Sequence, residues 1–158
     1  MELNELMAAF AAETGAEGGA PDGDGAYDLS IDGIGMTIAP VGDGSRCTIY
    51  ADLGEPPEEG REEAYRALLE ASFPRDGVTR ATPSINGGTG RICLHCTESL
   101  ASADYAAFRT LLEEFVNAAE DWRTKLASFP GLLSKVKDVV AEAEEEDRAM
   151  SADGFMRV

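Results

Sequence analysis

Four side chains could together hold a soft metal ion. Cys93-Leu94-His95-Cys96 brings two thiols and an imidazole close together, and Cys47 supplies a third thiol. Zinc takes four such ligands in a tetrahedron. The surrounding pattern argues against it, because Ile92, Leu94 and Cys96 alternate with Arg91, Cys93 and His95 as they do in a β-strand. Strand neighbours point to opposite faces, so Cys93 and Cys96 diverge. A redox C-x-x-C opens a helix, whereas Thr97-Glu98-Ser99 follows here. The expectation is small apolar cysteines in a strand, with no metal and no other cofactor.

The remaining chemical candidates are weaker. His95 is the single histidine, so a Ser–His–Asp or Cys–His mechanism has no other base, and no Gly-x-Ser-x-Gly elbow accompanies it. Asp22-Gly23-Asp24-Gly25 resembles part of a calcium loop but lacks the later ligands and the closing glutamate. Gly87 to Gly90 has no following lysine and Ser/Thr pair, and a hairpin turn accounts for its glycines. The pairs Glu62-Glu63 and Glu113-Glu114 lie opposite apolar helical stripes, as solvated carboxylates do. No positive sign of an enzyme emerges.

Composition narrows the class further. The chain has 158 residues, with 30 acidic and 13 basic side chains and a net charge of −17. A nucleic-acid or anionic-membrane binder needs a basic footprint, and this chain has the opposite. Hydrophobic residues at 44% exclude a wholly disordered acidic protein. Three cysteines make no disulfide framework. Met1-Glu2-Leu3-Asn4-Glu5 lacks the basic start of a secretory signal, and no apolar run reaches spanning length, so a cytoplasmic protein is expected.

The elements that position these residues follow from periodicity. Leu3, Leu6, Met7 and Phe10 form a short amphipathic stripe. A glycine-rich connection runs from Thr14 to Ala26. Three alternating segments follow, from Tyr27, from Ile34 after the Asp32-Gly33 turn, and from Cys47, predicting an antiparallel sheet covered on one side. A helix bearing Ala64, Tyr65, Leu68, Leu69 and Phe73 is bounded by Pro56-Pro57 and Pro74. A second hairpin spans about 80–97, with Pro83 marking an edge strand or bulge. Tyr105, Phe108, Leu112, Phe115, Ala119, Trp122 and Leu126 predict a long helix, with Ser102 as its cap. Pro130-Gly131 predicts a break, followed by an accessory helix with Leu132, Val136, Val139, Val140 and Ala143. The expected fold is α+β, an antiparallel sheet with helices in the order α-βββ-α-ββ-α plus the accessory helix. Residues 1–128 form the domain, and 129–158 an extension ending in an acidic tail. The first helix, the Tyr65/Leu68/Leu69/Phe73 stripe and the hairpin face could each serve either a core or an interface.

The order and sequence of these elements resemble the class I type III secretion chaperones of the Tir-chaperone-like family. The likeness is carried by Leu29 to Ile38, Ile49 to Gly54, Tyr65 to Phe73, Thr89 to Leu94 and Phe108 to Trp122. Asn86-Gly87-Gly88 departs from the aspartate–proline turn common in relatives, and the segment after Phe129 exceeds the usual domain. The resemblance implies a homodimer that binds the N-terminal chaperone-binding segment of a secreted effector and keeps it competent for secretion. It implies no nucleotide, nucleic acid, metal or membrane insertion. By position it implies a two-fold interface at Leu68, Leu69, Phe73 and Ile85, and a client surface at Leu3, Leu6, Met7, Phe10, Met36 and Ile38. The competing class is a small-molecule or regulatory sensor domain of related α+β fold, for which a closed cavity between sheet and helices is the mark.

Overall fold

The computed structural model describes residues 1–15, 20–73, 80–101 and 103–154, with side chains except those of 131–137, 146–147 and 150–154. Helix α1 (Leu3–Thr14) is followed by strands β1 (Tyr27–Ile31), β2 (Ile34–Val41) and β3 (Arg46–Gly54). Helix α2 (Arg61–Ala71), strands β4 (Thr82–Ile85) and β5 (Ile92–Ser99), and helix α3 (Tyr105–Gly154) complete the chain. The five strands form one sheet in the order β1-β2-β3-β5-β4, antiparallel at every pairing. The architecture is α+β, as the alternating segments predict.

Alternation fixes the inward face. Cys47, Ile49, Ala51 and Leu53 of β3 are buried, and so are Ile92, Leu94 and Cys96 of β5. With Met36 and Ile38 they form a floor for the Phe108, Leu112, Phe115 and Ala119 stripe of α3 and the Leu3, Leu6, Met7 and Phe10 stripe of α1. The opposite sheet face is polar. There the Thr48 and Thr97 hydroxyls hydrogen-bond at 2.8 Å across β3 and β5, and the Ser84 Oγ and His95 Nδ1 lie 3.2 Å apart.

Local chemistry sets the ends of the elements. Glu2 and Glu5 form a capping box at the start of α1, and Gly15 closes it at φ 64° with its N–H on the Ala11 carbonyl. Asp32 (φ 51°) and Gly33 (φ 78°) form the two-residue β1–β2 turn, where positive φ at both positions matches the strand twist. The Asp22 carboxylate accepts the Asp24 and Ala26 backbone N–H groups, each at 2.9 Å, so the aspartate–glycine segment serves as a turn. Asp104 caps α3 by accepting the Ala107 N–H at 2.8 Å; the expected cap, Ser102, lies outside the described residues.

Two expectations are corrected. Pro130 does not end the long helix, because α3 runs through it to Gly154. A proline forfeits one backbone hydrogen bond and crowds the carbonyl four residues before it, and the helix carries that cost in place. The accessory helix is therefore the distal part of α3. The second correction concerns α1, whose stripe is core: Leu3, Leu6, Met7 and Phe10 are between 0% and 7% exposed.

Candidate functional site

The C-x-x-C residues separate as strand geometry requires. Cys96 and Cys47 lie in the core while Cys93 is half-buried on the other face. Burial, with the Glu98 carboxylate and Cys47 adding to it, pushes the Cys96 thiol up to about 12. Such a thiol is neither a ready nucleophile nor a ready ligand. Among the described residues no three His, Cys, Asp or Glu side chains converge to hold a metal ion.

Two of the concave surfaces among the described residues combine an apolar lining with a sheet edge. The first is a groove of about 440 Å³ where the end of α1, the β1–β2 turn and the start of α3 meet. Phe10, Ile31, Leu112 and Val116 give it an apolar lining. Its rim is ionic. The Glu13 carboxylate accepts from the Arg109 Nη1 at 2.9 Å and from the Tyr105 hydroxyl, and the Arg109 Nε donates to Glu113 at 3.0 Å. Asp32 adds a further negative charge, so the rim is net acidic. The Tyr105 hydroxyl donates a hydrogen bond to the Glu13 carboxylate, which holds its pKa above the usual phenolic value. The Arg123 guanidinium donates to the Gly33 carbonyl at 3.2 Å and ties the turn to α3. Beside the groove, β1 is one edge of the sheet and among the described residues pairs only with β2.

The second surface lies at the opposite edge, between α2 and β4. Tyr65, Leu68, Leu69, Ser72, Pro83, Ser84 and Ile85 line a cavity of about 250 Å³. The Ser72 hydroxyl lies 2.8 Å from the Leu68 carbonyl and 3.4 Å from that of Pro83, joining helix to strand. Leu69 and Ile85 of this lining stand exposed at 74% and 45%, and Phe73, next to Ser72 in the chain, at 70%. Pro83 sits on an edge strand, as its missing N–H requires.

The residues expected on these surfaces divide sharply. Of the six assigned to client contact, Leu3, Leu6, Met7, Phe10, Met36 and Ile38 are all buried, and Phe10 alone reaches the groove. As an exposed stripe that assignment is corrected: an apolar ridge beside an apolar sheet face is covered by it. Of the four assigned to the interface, Leu69, Phe73 and Ile85 are exposed and Leu68 is core. The residues missed are Ile31, Asp32, Arg109 and Glu113. Their one local signal is the Asp-Gly turn, and nothing in the spacing places that turn beside α3.

A sequence profile of the Tir chaperone protein (CesT) family matches residues 5–123. No curated protein matches the sequence significantly. Among solved structures, the fold is similar to that of the ExsC–ExsE complex, with 21% identity, a TM-score of 0.60, and coverage of 80% of this chain and 97% of that one. A chain of the HopA1–SchA chaperone–effector complex matches with 12% identity and a TM-score of 0.64, over 77% of this chain and 92% of that one. The Yersinia pestis type III secretion chaperone SycH, solved with a fragment of YscM2, matches with 16% identity and a TM-score of 0.59, over 75% and 97% respectively. With its profile match covering the whole sheet and the first part of α3, the chain belongs to the Tir chaperone protein (CesT) family.

Proposed function

We propose that this protein is a cytoplasmic type III secretion chaperone that binds the N-terminal segment of a secreted effector and keeps it soluble and secretion-competent. The carrying observation is the apolar groove between α1, the β1–β2 turn and α3, set beside the outer edge of β1. An extended, disordered segment can hydrogen-bond along such an edge while placing apolar side chains in the groove. The acidic rim favours a client with lysine or arginine flanking its apolar anchors. The net charge of −17 keeps the loaded complex soluble.

Two copies associate through α2 and β4. Leu69, Phe73 and Ile85 are the apolar contacts, and burying three such side chains stabilises by roughly 1.5–3 kcal/mol each. The work is binding, without turnover. Residues 1–128 form the working domain, and 129–158 an extension to it. The sensor alternative calls for a closed cavity, and the groove is open to solvent.

The test is capture of effectors encoded beside this gene, by co-expression and co-purification, with wild type and Asn117→Trp compared. Asn117 is an exposed groove-lining position, so the indole fills the groove without entering the core. Lost capture at an unchanged melting temperature supports the assignment. Full capture by the variant refutes it.

A further inference from the structure

We propose that Asp32 selects the client, its carboxylate pairing with a lysine or arginine next to the apolar side chain that enters the groove beside Ile31. Taking the groove as the effector site, Asp32 is the residue that reads the sequence of the segment bound there. Three carboxylates line the groove, those of Glu13, Asp32 and Glu113. Two of them are engaged. Arg109 holds Glu13 at 2.9 Å and Glu113 at 3.0 Å, and the Tyr105 hydroxyl donates to the second Glu13 oxygen. Along β1, the Asp28 carboxylate accepts from the Thr37 hydroxyl at 2.6 Å. Of these four acids, Asp32 alone has neither an ion pair nor a side-chain hydrogen bond among the described residues. An open carboxylate over an apolar groove is complementary to a cation. A client that covers the groove also shields the pair from salt, and covered pairs are screened much less than exposed ones.

The turn does not account for the charge. Asp32 at φ 51° and Gly33 at φ 78° are a pair of left-handed positions that Asn-Gly fills as readily as Asp-Gly. The place of the carboxylate is nevertheless fixed, because the Arg123 guanidinium holds the Gly33 carbonyl at 3.2 Å and so ties the turn to α3.

The register of β1 brings a client past this residue. Ile31 pairs with Ile34 across the two-residue turn, and Leu29 with Met36. Such pairs exchange hydrogen bonds alternately along an antiparallel ladder, so the backbone groups of Asp28 and Ser30 face out from the edge. A segment added along that edge pairs with Ser30 and passes Ile31, whose side chain lines the groove. Asp32 comes next, within reach of a long cationic side chain at the adjacent position of the segment.

The probe is a displayed library of random linear peptides, selected on the immobilised full chain and read by sequencing. Wild type, Asp32→Asn and Glu62→Gln are compared. Glu62 is an exposed carboxylate of α2, beside the other sheet edge, and controls for the net charge. Asparagine keeps the turn, so the melting temperatures should agree within a few degrees. Wild type and Glu62→Gln should enrich lysine or arginine next to an apolar residue, and Asp32→Asn should select apolar peptides without that bias. One peptide selected on wild type is then titrated by fluorescence anisotropy, with its basic residue and with alanine in its place. Alanine should weaken binding to wild type about threefold to fivefold, the upper range for an exposed ion pair, and leave binding to Asp32→Asn unchanged. Equal basic enrichment by wild type and Asp32→Asn, or an equal loss on both in the titration, would overturn the proposal and leave the groove as the client site. Apolar peptides selected on wild type with no basic bias would do the same. Peptides that bind Asn117→Trp as tightly as wild type would place binding outside the groove, and both readings would fall.

Discussion

Leu68 and Leu69 are consecutive residues of α2 on opposite sides of the core boundary, 4% and 74% exposed respectively. A helix turns about 100° per residue, so one leucine closes the core beneath β4 and the other points to solvent. Leu69→Glu should leave the melting temperature within a few degrees and convert a dimer to a monomer by light scattering. Leu68→Ala should cost about 2–5 kcal/mol, as core leucine truncations do. A folded dimer that persists in Leu69→Glu removes α2 from the interface.

Met7 and Phe10 are 3% and 6% exposed, which reverses the outcome expected of a free docking stripe. Met7→Asp together with Phe10→Asp buries two carboxylates in the apolar core, and should unfold the domain at 37 °C. Phe10→Ala alone should cost about 3–5 kcal/mol. Circular dichroism melts measure both. A double variant that melts like wild type would show that α1 does not pack where the structure puts it.

Alkylation should rank the cysteines. Cys96, with a thiol pushed up to about 12, stays protonated at pH 8 and is a poor nucleophile. Cys47 is likewise raised by burial. Cys93 is half-buried and should react first with iodoacetamide, as mass spectrometry of timed samples will show. Chelator should leave the melt unchanged, and equal rates at all three thiols would contradict the packing.

The Tyr105 hydroxyl ties α3 to α1 by donating a hydrogen bond to Glu13. The folded pKa of Tyr105 is raised, so its contribution to stability is complete below the unfolded value near about 10. It is lost as pH rises through the folded value. Tyr105→Phe should therefore melt lower than wild type at pH 8 and fall less steeply in more alkaline buffer. Parallel curves for the two proteins would remove the linkage.

Truncation after Phe129 should change the melting temperature by less than a few degrees, because Val139 and Val140 are exposed rather than packed on the sheet. A drop larger than that amounts to a kilocalorie or more at about this size and would place the distal helix on the core.

Much of this was legible in the residues alone. Strict alternation in β3 and β5 fixes which side chains face inward, because strand period is a local property of the backbone. The same alternation separates Cys93 from Cys96 without coordinates. The Asp32-Gly33 turn and the edge position of Pro83 follow from dihedral preference and a missing donor, which are equally local. Amphipathic spacing also found α1, but it could not say what covers the stripe, since a buried and a docking helix share one pattern. Only the folded chain seats Leu3, Leu6, Met7 and Phe10 on the sheet and so moves the candidate groove to Ile31, Asp32 and Arg109, residues from three separate elements. The same limit applies to Pro130. Local rules predict a break there, while the structure continues α3 through it to Gly154, and this continuity is what places Val139 and Val140 beyond the core.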